Sequence, residues 1–263
     1  MSLLEADDPP AYRVEGSDGK SPFFLTCDHA SARVPTKLGS LGVSAEDLGR
    51  HIALDIGAAG VAVKLATALD ALAILSGYSR LVIDCNRQPG TPESIVRISE
   101  ATRIPGNETV TVEEAAAREQ EIFQPYHDRI RTELDKRRAQ QRHTVLISVH
   151  SFTPSFHGNS RPWHAGVLYN RDARLATELL QRLRAEATLV IGDNEPYSVG
   201  DTTDYTIPVH AEKRGLLHVG IELRQDLVAT AAGQSEWAER LARALVSIAD
   251  SGDSWCKFDS ATS

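Results

Sequence analysis

Seven short apolar runs alternate with stretches of helical periodicity along this chain, and that alternation constrains the fold more than anything else in it. The runs are Phe23–Cys27, Ala71–Ser76, Arg80–Cys85, Val145–Val149, Ala165–Tyr169, Leu189–Ile191 and Val219–Leu223. They are rich in Val, Ile and Leu, and several are apolar on both faces, as strands covered by helices on both sides should be. Between them, Ser44 opens a helical pattern to about Asp70 with a Ser44/Asp47 near capping box. Thr111 and Glu114 form a regular capping box before a helix to about Arg142, bent near Pro125. Asp172 and Ser235 are expected to cap two further helices, the last reaching Asp250. Strands alternating with helices imply an α/β fold: a mixed, largely parallel sheet flanked by helices on both faces.

Composition narrows the class. With 263 residues, 41% of them hydrophobic and 24% charged, the chain has ample material for a core. It reads as a single domain over 1–263, with a loose leader at 1–20 and a Ser- and Asp-rich tail at 251–263. A formal net charge of −8 argues against a nucleic-acid partner. No apolar run approaches bilayer length, so no membrane partner is expected, and Met1 to Pro10 lacks the order of a secretory signal. Cys27, Cys85 and Cys256 are scattered, with no C-x-x-C, which points to the cytoplasm. The oligomeric state is not legible.

In open α/β sheets, functional residues gather just past the carboxyl ends of strands. Here those exits present Asp28-His29, Asn86-Arg87, His150-Ser151 and Glu222-Leu223-Arg224. His29 and His150, on neighbouring strand ends, would share one Zn²⁺ or another divalent metal with a carboxylate. The alternative is two loop histidines bonded to backbone. Asp55 is the favoured third ligand, because Leu48, Ile52 and Asp55 fall on one helical face and a buried acid needs a partner. Asp28 is its rival, and a helical His51–Asp55 pair is the plain alternative. Asn86 and Arg87 offer an amide and a guanidinium fork for a carboxylate, unless Arg80, Asp84 and Arg87 pair among themselves. Glu222, in an apolar strand, would have a raised pKa and suit a general base, unless it faces solvent on an edge strand. Trp163 and Tyr197 are candidates to wall a pocket. H-E-x-x-H, Walker, dinucleotide and nucleophile-elbow motifs are all missing, which sets a serine hydrolase well behind.

These segments together resemble the N-formylglutamate amidohydrolase family. The matching blocks run in order from Cys27-Asp28-His29-Ala30-Ser31 through His51–Ala58, Tyr78–Arg87, Pro105–Asn107, Pro125–His127, Ser148–Pro154 and Arg161-Pro162-Trp163 to Ile221–Leu227. The resemblance implies a zinc-exopeptidase-like fold and hydrolysis of N-formyl-L-glutamate, or a similar small anionic N-acyl amino acid, to formate and L-glutamate in histidine degradation. It puts His29 and His150 on metal-ligand positions, with Asp55 proposed beside them. Glu222 falls on the catalytic base, and Asn86 and Arg87 on the substrate carboxylate; beyond the resemblance, Arg80 and Tyr197 are expected as further substrate contacts. One departure stands out: zinc exopeptidases often carry a Glu three residues after the first ligand histidine, and here that position is Ala32. A related metallo-deacylase or carboxypeptidase, or a non-enzymatic binder of small ligands, remain the alternatives.

Overall fold

The computed structural model describes residues 2–251, so all of the expected tail except Ser251 lies outside the described residues. Eleven strands and seven α-helices are described. The strands are β1 Tyr12–Glu15, β2 Phe23–Cys27, β3 Leu72–Ser76, β4 Ile98–Ser99, β5 Thr102–Arg103, β6 Val145–Phe152, β7 Ser155–Phe156, β8 Asn159–Ser160, β9 Ala165–Leu168, β10 Ile191–Asp193 and β11 Leu217–Arg224. The helices are α1 Ala45–Leu48, α2 Ala58–Ala68, α3 Val112–Arg118, α4 Gln124–Ala139, α5 Arg174–Arg184, α6 Gln225–Val228 and α7 Ala231–Asp250.

Seven strands form the main sheet in the order β1-β3-β2-β6-β11-β9-β10. β3, β2, β6 and β11 run parallel, while β1 on β3 and β9 on β11 are antiparallel. This is the mixed, largely parallel sheet expected. Alternation along its strands separates two chemistries. One face is apolar throughout: Phe23, Leu25 and Cys27 on β2, Val145, Ile147 and Val149 on β6, and Val219, Ile221 and Leu223 on β11 pack under α2, α5 and α7. The other face begins apolar, with Phe24 and Leu146 against Tyr126, Ile130 and Leu134 of α4. It then turns polar toward the carboxyl ends, through Ser148 to His150 on β6 and through Gly220 to Glu222 on β11.

Several expectations shift. The leader is not loose throughout, because β1 adds an antiparallel edge to β3. Arg80–Cys85 is no strand; it is a buried loop in which Asp84 N donates to Ser94 O and Arg87 N to Asp84 O. The helix expected from Ser44 to Asp70 breaks between Gly49, which caps α1, and Gly57, whose φ of 80° precedes α2. A Cβ at Gly57 would also stand 2.1 Å from Val228 O, so only glycine fits there. Ser44 caps α1 as expected, accepting from Asp47 N. The Thr111–Glu114 capping box is present. A π-helical turn, Glu119–Phe123, separates α3 from α4 immediately before Pro125, whose ring removes an intrahelical donor. Asp172 accepts from Arg174 N, one residue outside the Ala173 cap. α7 starts earlier than Ser235: Thr230 caps it, and Ser235 Oγ bonds back to Ala231 O within the helix.

Candidate active site

At the carboxyl edge of the parallel strands lies a cavity of about 570 Å³. His29, Asp55, Arg80, Asn86, Arg87, His150, Tyr197 and Glu222, all singled out from the sequence, line it. Trp163 does not.

Its centre is a buried cluster. His29 follows β2, His150 stands on β6, and Asp55 comes from the turn before α2 rather than from a helix face. The Asp55 backbone N–H donates to His29 O at 3.0 Å, which fixes that turn against the strand end. Asp55 Oδ2 meets His150 Nδ1 at 2.8 Å and His29 Nδ1 at 3.2 Å. One ligand atom from each of the three lies within 4.8 Å of the others. His51, the alternative partner for Asp55, instead places Nε2 3.0 Å from Glu100.

The outer nitrogens are held as well. His29 Nε2 lies 2.8 Å from Asp84 Oδ1, and His150 Nε2 lies 3.3 Å from Asp28 Oδ2 and 3.0 Å from Ser148 Oγ. Asp28, the rival third ligand, is thus turned to the far side of His150. Tyr126 Oη and Thr206 Oγ1 donate to its other oxygen at 2.6 and 2.8 Å. Asp84 is gripped by Arg80 through Nη2 at 2.7 Å and Nε at 3.1 Å.

The charges follow from these contacts. Burial alone would lift the Asp55 carboxyl, but the two imidazoles overcome it and hold it well below the usual range. Burial likewise works against the imidazolium of His150, yet its bonds to Asp28 and Asp55 raise its pKa well above the ordinary value. His29 is raised too: Asp84 and Asp55 outweigh burial and the nearby Arg80. Without a cation, the carboxylates around the cluster therefore favour the protonated form of both imidazoles.

Glu222 behaves differently. It is the register partner of His150 on the adjacent parallel strand, so both side chains emerge on the same face. Burial, with Asp55 adding repulsion, pushes its carboxyl up to about 7 against the opposing pull of His150. Its Oε2 is buried without a hydrogen-bond partner. On its other flank stands Gly166, where a side chain would drive into Glu195 O, 2.1 Å from an added Cβ.

Arg80 and Asn86 use their polar atoms differently from expectation. Arg80 commits its fork to Asp84 and points Nη1 toward Asp55 at 3.4 Å, so it organises the cluster more than it offers itself to a ligand. Asn86 Oδ1 accepts from the N–H groups of Tyr205 and Thr206, and Nδ2 donates to Asp204, leaving one amide hydrogen for a ligand. Arg87 bonds Asn86 O through Nη1 at 3.0 Å and makes no ion pair among the described residues. His127, His210 and His218 stay out of the cavity: His127 and His210 bond each other at 2.9 Å, and His218 Nδ1 binds Leu216 O. The roles of Tyr126 and Thr206 had no sequence signal, whereas Asp28 stood out as a ligand rather than a support and Asp84 pairs with Arg80 as the alternative reading has it. Ser148 and Gly220 had a signal, as period-two partners of His150 and Glu222.

The site fits a divalent cation on its donor set alone, because two imidazole nitrogens and a carboxylate oxygen converge, each backed by a further group.

Comparison with known proteins gives the class, an amidohydrolase. A family model described as N-formylglutamate amidohydrolase matches residues 21–229. The chain belongs to the N-formylglutamate amidohydrolase family. Among solved structures, a gene product of Agrobacterium tumefaciens is 38% identical with a TM-score of 0.89, the match covering 94% of this chain and 99% of that one. An N-formylglutamate amidohydrolase from Ralstonia eutropha is 15% identical with a TM-score of 0.68, covering 92% and 98%, and shares the fold. Among curated proteins, none matches. Among the described residues no helix is long and apolar enough to cross a membrane.

Proposed function

We propose that the protein is a metal-dependent amidohydrolase that cleaves N-formyl-L-glutamate, or a close N-acyl acidic amino acid, to formate and L-glutamate. The observation that carries this reading is the convergence of His29, Asp55 and His150 beside the unpartnered carboxyl of Glu222 in one cavity. His29, Asp55 and His150 would hold the cation, zinc by donor type. Bound there, it supplies positive charge that polarises a carbonyl oxygen and acidifies water.

The rest is the work of this chain's own side chains. Glu222, with a pKa near 7 and Oε2 free, accepts the proton of the attacking water and returns it to the departing amine nitrogen. Arg87, which makes no ion pair among the described residues, takes a substrate carboxylate, and Asn86 fixes the 204–206 segment and offers its remaining amide hydrogen. Tyr197 walls the cavity. Anchoring the carboxylate orients the scissile amide, which is how binding energy becomes rate. An arginine at the cleft also reconciles an acidic protein with an anionic substrate. In the cell this reading puts the reaction in histidine breakdown, as the family resemblance implies, and in the cytoplasm, as the scattered cysteines suggest.

A panel of N-formyl and N-acetyl amino acids, assayed with and without chelator, tests the reading. Formate release from N-formyl-L-glutamate that stops on chelation and returns with zinc is expected. Chelator-insensitive turnover would favour serine chemistry, and no turnover on any member would favour a binding protein.

A further inference from the structure

Arg118, the last residue of α3, is a buried cation that the reaction does not use. Only 1% of it is exposed, and it makes no ion pair among the described residues. Its Nη1 donates to Val82 O at 3.0 Å and to Asn107 Oδ1 at 2.7 Å, and its Nη2 to Gly106 O at 3.3 Å. Asn107, equally buried, passes the hold on: its Nδ2 donates to Leu81 O and to Val96 O, both at 2.8 Å. A third side chain joins them, His127, whose Nε2 donates to Cys85 O at 2.8 Å.

These donors stand in for a neighbouring strand. The Arg80–Cys85 run is buried but has no ladder partner, and buried carbonyls need donors. Asn107, Arg118 and His127 supply them to residues 81, 82 and 85. Apolar packing would fill the volume of Arg118 without burying a charge. What the cation adds is geometry, because one rigid fork bonds two backbone segments, at Val82 and at Gly106-Asn107, at once. Two residues past Val82 stands Asp84, whose Oδ1 meets His29 Nε2 and also accepts from Asn86 N at 2.8 Å. A displaced Asp84 therefore disturbs both the His29 ring and the Asn86-Arg87 pair in the cavity wall.

We propose that Arg118 is a positioning residue: by holding Val82 O and, through Asn107, Leu81 O, it sets where Asp84 stands behind His29 and where Arg87 meets the ligand. A supporting group that is loose by about 1 Å is enough to weaken the site it supports. This rests on the amidohydrolase reading for its effect on KM, whereas zinc affinity is read without turnover.

Arg118→Met keeps the stem and removes the fork. Competition with a chromogenic chelator, run well below the melting temperature, shows zinc affinity weakened about 10-fold. KM for N-formyl-L-glutamate rises about 10-fold, with a smaller change in kcat. Arg118→Lys keeps the charge and a donor but not the fork, and lies between, about 3-fold from the wild type in both quantities. Leu241→Ala, in α7 under the apolar face of the sheet, is the control: it lowers Tm and leaves zinc affinity and KM unchanged. Arg118→Lys carries the comparison alone should Arg118→Met not fold. Arg118 variants that lose Tm as Leu241→Ala does, yet keep wild-type zinc affinity and KM, overturn the positioning role. Hydrolysis of N-formyl-L-glutamate alongside that result leaves the amidohydrolase standing. Weakened zinc binding in the Arg118 variants, without hydrolysis by the wild type, supports the positioning role and removes the amidohydrolase. A wild type that binds no zinc overturns both.

Discussion

The imidazole rings of His29 and His150 lie 5.2 Å apart, centre to centre, and both turn Nδ1 toward the same oxygen of Asp55. Each ring has its own carboxylate behind it, Asp84 for His29 and Asp28 for His150. These outer acids set which nitrogen faces the cluster. Asp84→Asn and Asp28→Asn should each weaken zinc binding by about 10- to 100-fold while leaving the three inner residues in place. Competition with a chromogenic chelator measures this, and unchanged affinity in both variants would contradict the positioning role.

Because both histidines are raised above their ordinary pKa in the cation-free protein, a cation must displace protons from them. Zinc affinity should therefore fall steadily as pH is lowered through neutrality, with net proton release on binding. Calorimetry in buffers of different ionisation enthalpy reads the number released. Binding heat independent of the buffer would show that the rings are already neutral.

Glu222→Gln keeps the shape of the side chain and removes its basicity. Zinc content should be retained and kcat should drop by about 10²- to 10⁴-fold, the usual contribution of a positioned base. Activity of the wild type should rise with pH as Glu222 ionises, with a midpoint at or below the value near 7, since a bound cation favours the carboxylate. Near-normal turnover in the Gln variant would remove Glu222 from the reaction.

Arg87 makes no ion pair among the described residues that its loss would strand. Arg87→Ala should raise KM for carboxylate-bearing substrates about 10- to 100-fold with a smaller effect on kcat. Uncharged N-formyl amides should be hydrolysed with little change in KM. Equal losses on both classes would contradict the anchor.

The buried His127–His210 pair predicts acid lability. Burial pushes His127 down to about 4 and His210, with His127 as a neighbour, down to about 2. Both are neutral in the folded protein while the unfolded chain takes up protons below about 6.5. Stability is thus fully present above that value and is lost as pH falls toward 4. His29 and His150, shifted the other way, act above this window, and the lowered aspartates act below it. Urea midpoints from pH 8 to 4 should fall more steeply for the wild type than for His210→Gln; parallel curves would contradict the pair as the cause.

Much of the site was legible because strand ends advertise themselves. Apolar runs closing on His29, His150 and Glu222 state their own position, and alternation through Ser148 and Gly220 assigns the face. Asp55 was found for a reason that did not hold: its spacing matched a helix face, whereas Gly57 breaks the helix and the Asp55 N–H bonds a strand end. The Arg80–Cys85 run looked like a strand because it is buried, but its backbone groups bond within a loop. β1 lacked a signal because an edge strand takes its pairing from β3, not from its own pattern. Tyr126 and Thr206 gain meaning only from Asp28, far along the chain, which local spacing does not encode.

The account depends most on one ion being held between β2, β6 and the turn before α2. Metal analysis after equilibration with zinc tests this directly, run on the wild type, Asp55→Asn, His150→Ala and Glu222→Gln. It predicts one zinc per chain for the wild type and Glu222→Gln, and little or none for Asp55→Asn and His150→Ala. A wild type without zinc, or a zinc content that survives both ligand substitutions, would contradict it.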